Sequence, residues 1–264
     1  MGDLLAGRTV IVTGGARGIG QAYCLALAEH GAKVAAADLL DAGETVDRIK
    51  SAGGEAIALE VDVADFASCQ AMVRSTLDAF GTVTGLINNA ALFGKSSKQK
   101  GVTMQPFTEI SEDDWDLTMA INVKGTWNCC KAVAPHMMEK RYGKIVNISS
   151  QTIGMGTPMI LDYVTSKGAV ATMARCLARE LGPYNILVNA LTPGFTQSQA
   201  VKDLMEIAGV GDGMKNQYAA QAALGRPQDP EDMVGTAVYL MSPLSDFVTG
   251  QLLNVDGGQS HTGM

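Results

Sequence analysis

The chain predicts an α/β fold built on a parallel sheet of about seven strands flanked by helices. Two observations carry that prediction. Apolar runs of strand length recur near 8–12, 33–37, 55–60, 84–88, 144–149, 185–191 and 251–255, separated by connections long enough for helices. Strands joined by helix-length crossovers lie parallel, because a tight turn can only reverse the chain. The first run, Thr9-Val10-Ile11-Val12, also leads straight into Thr13-Gly14-Gly15-Ala16-Arg17-Gly18-Ile19-Gly20 and then into an alanine- and leucine-rich stretch. Strand, glycine turn and helix in that order are the start of a βαβ unit.

The 264 residues, 47% of them apolar, suit one large α/β domain spanning 1–264. Helix starts carry their own signals in Asp41-x-x-Glu44, Ser111-x-x-Asp114 and Asp229-Pro230-Glu231, where an oxygen cap is combined with acids or proline in the first turn. The spacing predicts a long helix from about Ser111 to Tyr142, bent by Pro135, and another from about Asp162 to the Gly182-Pro183 breaker pair. Two stretches read as irregular: 92–110, with a Lys/Ser/Gln patch and Pro106, and 192–228, with Pro193-Gly194 and several further glycines. Connections of such length in a compact domain serve as lids or binding loops, so 192–228 is expected to be a substrate lid.

Charge and composition narrow the partners. A formal net charge of -7 offers no attraction to phosphate backbones, and no dense Lys/Arg run overrides it, so nucleic acid is not an expected partner. The start lacks an export signal, and no apolar run reaches the ~20 residues needed to span a bilayer, so no membrane association and a cytoplasmic location are expected. Cys24, Cys69, Cys129, Cys130 and Cys176 form no C-x-x-C pair. They read as reduced, buried thiols, and no metal is expected.

Glycines at 14, 18 and 20 let backbone N–H groups and the positive end of the first helix approach a pyrophosphate, with Arg17 and Ile19 in the same turn. Their spacing is G-x-x-x-G-x-G rather than G-x-G-x-x-G. Asp38, at the end of the second strand, is placed to bond both hydroxyls of an adenine ribose and to repel a 2′-phosphate. Arg17 pulls the other way, since a guanidinium there is a partner for that phosphate. The carboxylate decides for NAD, with NADP the less favoured cofactor.

Tyr163 and Lys167 stand four residues apart and share a helix face, and Ser150 lies thirteen positions before the tyrosine. A phenol ionises near pH 10, so a tyrosine base needs a neighbouring cation, and Lys167 is that cation. Lowering its pKa by ~3 units takes ~4 kcal/mol of differential interaction.

Thr13-Gly14-x-x-x-Gly18-x-Gly20, Asn88-Asn89-Ala90-Ala91, Asn122, Ser150, Tyr163-x-x-x-Lys167 and Pro193-Gly194 follow in one order along the chain, from about Gly7 to Gly258. This set closely resembles the short-chain dehydrogenase/reductase family. The resemblance implies a single Rossmann-type, doubly wound domain holding cofactor and substrate together, in a homotetramer packed through the helices near 111–142 and 162–182. It assigns Tyr163 to proton exchange with the substrate oxygen, Ser150 to hydrogen-bonding that oxygen, and Lys167 to the nicotinamide ribose and the tyrosine. Asn122 would pass protons through water to Lys167. Asp62 and Val63 would meet the adenine. Asn89, Pro193 and Gly194 complete the implied cofactor contacts, with Thr196 or Ser198 at the carboxamide. Ala91 stands where the family usually has glycine, Ser198 where it often has threonine, and the interval from Asn89 to Trp115 is several residues longer than usual.

Between Ser150 and Tyr163 the residues are mainly apolar, with no lysine or arginine, and Thr152 and Met159 are expected to join Ser150 and Tyr163 against the substrate. Lys95, Lys98 and Lys100, in the long loop, read as solvated. The expected substrate is a neutral, moderately hydrophobic secondary alcohol or its ketone, cyclic or aromatic. Two other readings stand beside an NAD-dependent alcohol dehydrogenase: an NADPH-linked 3-oxoacyl or sugar-type ketoreductase, and a dinucleotide sensor that catalyses nothing.

Overall fold

The computed structural model describes residues 3–93, 104–198, 201–202 and 211–260. Seven strands form one parallel sheet: β1 (Thr9–Thr13), β2 (Lys33–Asp38), β3 (Ala56–Glu60), β4 (Gly85–Asn88), β5 (Gly143–Ile148), β6 (Ile186–Pro193) and β7 (Leu252–Val255), in the order β3-β2-β1-β4-β5-β6-β7. From β1 the chain builds outward to β3, then returns to add β4 on the other side. That reversal opens a crevice above the C-terminal ends of β1 and β4, where a doubly wound sheet takes its ligand.

Helices α1 (Gly18–Glu29), α2 (Gly43–Ser51), α3 (Phe66–Phe80), α4 (Glu112–Met119), α5 (Gly125–Lys140), α6 (Thr152–Met155), α7 (Leu161–Leu181), α8 (Gly211–Gln221) and α9 (Glu231–Met241) complete the layers. Two cores result, one on each face. Val10, Val12, Tyr23, Leu27, Val34 and Met233 gather on the side of α1 and α9, while Ile11, Ala35, Met72, Val133, Ala174 and Val188 gather on the side of α3, α5 and α7. Every residue of β1 and β5 is buried, as strands covered on both faces require.

Of the three cap signals one holds, one shifts and one fails: α9 begins at Glu231 behind Pro230 with no side-chain cap from Asp229. Ser111 Oγ accepts from Asp114 N at 3.2 Å and starts α4. Asp41 does not cap α2 directly, since the helix begins at Gly43 and Asp41 Oδ1 accepts from Gly43 N at 2.8 Å. Helix α7 ends at Leu181 and passes into a 3-10 turn, Gly182–Tyr184. The expected helix over 111–142 is continuous in outline, but its regular ladder is interrupted by a π segment, Ala120–Lys124, and Pro135 lies inside α5. The long loop at 92–110 and the expected lid at 192–228 lie partly outside the described residues, as do Lys95, Lys98 and Lys100.

Four cysteines are buried, as expected, but Cys176 is exposed on α7. Cys69 of α3 and Cys129 of α5 meet with sulfurs 3.6 Å apart. No helix among the described residues is long and apolar enough to cross a membrane, and no cluster of potential metal ligands occurs among them.

Candidate active site

The glycine turn at the end of β1 is shaped by close backbone approach. Gly14 has φ +68°, and a Cβ there would stand 2.8 Å from Asn89 Nδ2. At Gly20 a Cβ would collide with the Gly14 carbonyl oxygen, so the first turn of α1 folds directly onto the loop. Asn89 Nδ2 donates to the carbonyls of Thr13 and Gly14 at 3.1 and 3.2 Å, and Thr13 Oγ1 accepts from the backbone N–H groups of Asn89 and Ala90, both at 3.1 Å. The turn is thereby stitched to the end of β4. Among the described residues no side chain caps the N-terminus of α1, and such a helix start suits an anion.

A groove runs across this turn, lined by Gly14, Arg17, Gly18, Ile19, Asp38, Asp62, Val63, Asn89 and Ser198 among others. Asp38 Oδ2 accepts from Ala16 N and Oδ1 from Leu40 N, each at 3.0 Å, so its carboxylate is fixed at the groove's far end. Asp62 Oδ1 accepts from Ala64 N at 2.9 Å, and the buried Asn128 side chain donates to Val63 O at the same distance. An uncapped helix start, a glycine floor with no space for side chains and two carboxylates at the far end fit an extended dinucleotide.

The groove continues into a second cleft through Ile19, Asn89, Ala91 and Ser198, which line both. Ser150, Tyr163, Lys167, Thr152, Pro193, Gly194 and Thr196 line this second cleft. Here Ser150 sits just past the end of β5 and Tyr163 and Lys167 on the first turns of α7. Ser150 Oγ accepts from Thr152 Oγ1 at 3.0 Å, and against the expected lowering burial pushes the Tyr163 phenol up to about 12, with Ser150 acting the other way. Lys167 is buried, its ammonium pulled down to about 8 by desolvation; it donates to Ile148 O at 2.8 Å and lies 5.6 Å from the Tyr163 ring centre. With the phenolate charge placed at the ring centre, an effective dielectric near 20 gives about 3 kcal/mol in favour of the phenolate, roughly 2 pH units.

Asn122 falls in the π segment, 1% exposed, and joins three parts of the site. Its Oδ1 accepts from Leu92 N at 2.7 Å, and its Nδ2 donates to Leu92 O and to Ser166 Oγ, both at 2.9 Å. Ser166 Oγ in turn donates to Tyr163 O at 2.7 Å, and Ser149 Oγ to Lys167 O at 2.8 Å. The widened helical turn is what frees the asparagine for this clamp.

One expected contact is misplaced and several were not foreseen. Met159 does not line the cleft: it holds a left-handed backbone at φ +70°, its carbonyl accepts from Gln105 N at 2.9 Å, and its side chain is 40% exposed. Phe93, Met104, Phe195 and Tyr218 line the cleft instead. The Phe93 ring meets Tyr163 edge-on at 4.7 Å, and Phe195 stacks on Tyr218 at 4.1 Å. Of the two candidate carboxamide hydroxyls, Thr196 is engaged with Gln228 Oε1 at 2.9 Å, whereas Ser198 borders both clefts.

A family model described as enoyl-(acyl carrier protein) reductase, of the short-chain dehydrogenase type, matches residues 14–260. The chain belongs to the short-chain dehydrogenase/reductase family. It is 36% identical over 252 residues to the short-chain reductase protein NovJ of Streptomyces niveus, covering 94% of this chain and 92% of that one. It is 33% identical over 255 residues to the 3-oxoacyl-[acyl-carrier-protein] reductase FabG of Staphylococcus aureus, covering 95% and 97%. A double mutant of a Serratia marcescens short-chain dehydrogenase/reductase superposes with a TM-score of 0.86 at 30% identity, over 97% of this chain and 99% of that one. Short-chain dehydrogenase/reductases are oxidoreductases that use NAD(P), and the two-part cleft of this chain is read in that light.

Proposed function

We propose that this protein is an NAD-dependent oxidoreductase that interconverts a neutral, moderately hydrophobic secondary alcohol and its ketone. The observation that carries the reading is one continuous cleft with Ser150, Tyr163 and Lys167 at one end and Asp38 at the other. Gly14, Arg17, Gly18, Ile19 and Gly20 would hold the pyrophosphate, Asp38 the adenine ribose, Asp62 and Val63 the adenine, and Asn89, Lys167, Pro193, Gly194 and Ser198 the nicotinamide half. When bound, that group supplies or accepts the hydride. Ser150 holds the substrate oxygen where negative charge develops, and Tyr163 gives that oxygen a proton or takes one from it. Lys167 stabilises the phenolate state. Phe93, Phe195 and Tyr218 enclose an apolar body and exclude water.

A homotetramer, carried over from the family resemblance, and a cytoplasmic setting are the proposed context. The test of the reaction is Tyr163→Phe: turnover is expected to fall below a few per cent while NADH binding, followed by its fluorescence, persists. Retained turnover would reject the assigned base. A second reading, an NADPH-linked 3-oxoacyl ketoreductase, is favoured by Arg17 in the same groove and by the likeness to FabG. Catalytic efficiencies with NAD and NADP separate the two, and Asp38→Ala is expected to lower the NAD-to-NADP ratio at least about tenfold, some 1.4 kcal/mol.

A further inference from the structure

Deepening the reading above and resting on it, we infer that Gln151 recognises a second hydroxyl beside the reacting carbon, so that the substrate is an apolar diol or the matching hydroxyketone. Gln151 follows Ser150 directly, is 3% exposed, and lines the catalytic cleft. Its backbone N–H donates to Pro193 O at 3.0 Å, which fixes the root of the side chain between β5 and β6. Its Oε1 has no hydrogen-bond partner among the described residues.

Thr157 presents the same anomaly on the same cleft: its Oγ1 is buried and has no partner there. A buried polar group left unpaired is costly, so each is a place for a ligand's polar group. Both belong to the one cleft, where Phe93, Met104, Ile160 and Phe195 supply apolar lining and Ser150 and Tyr163 the reacting end, so each is a polar handle beyond that end. The terminal torsion of glutamine is broad and two-fold, so a modest turn presents the amide to the cleft. A hydroxyl answers both residues, because it donates to a carboxamide oxygen and also accepts from a threonine hydroxyl. Charge points away from an anionic handle. Lys167 is the one charged side chain among the described lining residues, and its ammonium is engaged with Ile148 O.

The test compares a matched pair, 1-phenylethane-1,2-diol and 1-phenylethanol, in the wild type and in Gln151→Met, a substitution of similar length without the polar end. The wild type is expected to favour the diol by about 10-fold or more in kcat/KM, and the variant to lose most of that preference through a raised KM for the diol. Thr157→Val is expected to reduce the same ratio. A wild-type preference for the simple alcohol, or a ratio unchanged in Gln151→Met, overturns the inference. So does an equal loss on both substrates, which is what a purely structural role produces. Binding of 2-hydroxyacetophenone against acetophenone to the wild-type holoenzyme, by calorimetry, needs no variant; equal affinity also overturns it. Turnover without diol preference sinks this inference alone, whereas diol-selective binding without turnover of either alcohol sinks the proposed reaction.

Discussion

Replacing Lys167 with methionine separates its electrostatic role from its role in holding a ribose. The ammonium stands 5.6 Å from the Tyr163 ring centre, where its field favours the phenolate by about 3 kcal/mol at an effective dielectric of 20. Removing it raises the tyrosine pKa by roughly 2 units, since each unit corresponds to about 1.4 kcal/mol. Alcohol oxidation requires the deprotonated phenol, so below the inflection kcat/KM falls tenfold per unit. With the phenol near 12, a profile from about pH 6 to 8 lies wholly on the rising limb, so the variant's line should run about a hundredfold below the wild type's there, and the gap should shrink above about pH 8 as the wild-type Lys167 loses its own charge. Desolvation holds the lysine itself near 8, so at neutral pH it is still mainly charged and its loss is felt there in full. A loss of rate that stays constant from about pH 6 to 10 would refute the reasoning and leave Lys167 as a cofactor ligand alone. Denaturant melts supply a control, because the orphaned Ile148 carbonyl costs about 1–3 kcal/mol.

Asn122→Ala removes three hydrogen bonds at once and should lower unfolding free energy by about 2–4 kcal/mol, read by urea titration. A change below about 0.5 kcal/mol would show that the clamp on Leu92 and Ser166 does not hold the site together. His136 Nε2 accepts from Val83 N at 3.2 Å, and burial, assisted by Lys140 and opposed by Glu139, lowers its pKa. Its contribution is thus complete above the unfolded pKa, near 6.5, and is lost as pH falls towards the folded one; His136→Gln should flatten that part of the stability profile, and an unchanged slope would count against it. A thiol reagent applied to the native protein should add a single label, at Cys176, detected by intact-mass spectrometry. Rapid labelling at two or more positions would contradict the burial of the other four.

The meeting of Ser150, Tyr163 and Lys167 in one cleft was legible because helical periodicity converts a spacing of four into a shared face, and a strand end followed by thirteen residues leads back to it. The carboxylate ending β2 was legible for a similar reason: a parallel sheet brings the ends of adjacent strands to one edge. The aromatic wall was not. Phe93, Phe195 and Tyr218 come from three distant segments, and no local pattern says that they converge. Apolar character alone does not give direction at Met159, where a left-handed backbone just before α7 leaves the side chain partly exposed. The Cys69–Cys129 contact likewise has no spacing signature, being made by two helices packed side by side.

The π segment at Ala120–Lys124 has a consequence for how this region tolerates change in length. A wide turn accommodates one residue more than a regular helix would, so excising a single residue there would close it into regular helix, leaving the flanking stretches in place but changing the direction of the side chains within the segment. The amide that now clasps Leu92 would then aim elsewhere, although no chemical group had been altered. Insertions and deletions in this helix should therefore be worse tolerated than substitutions at its solvent-facing positions.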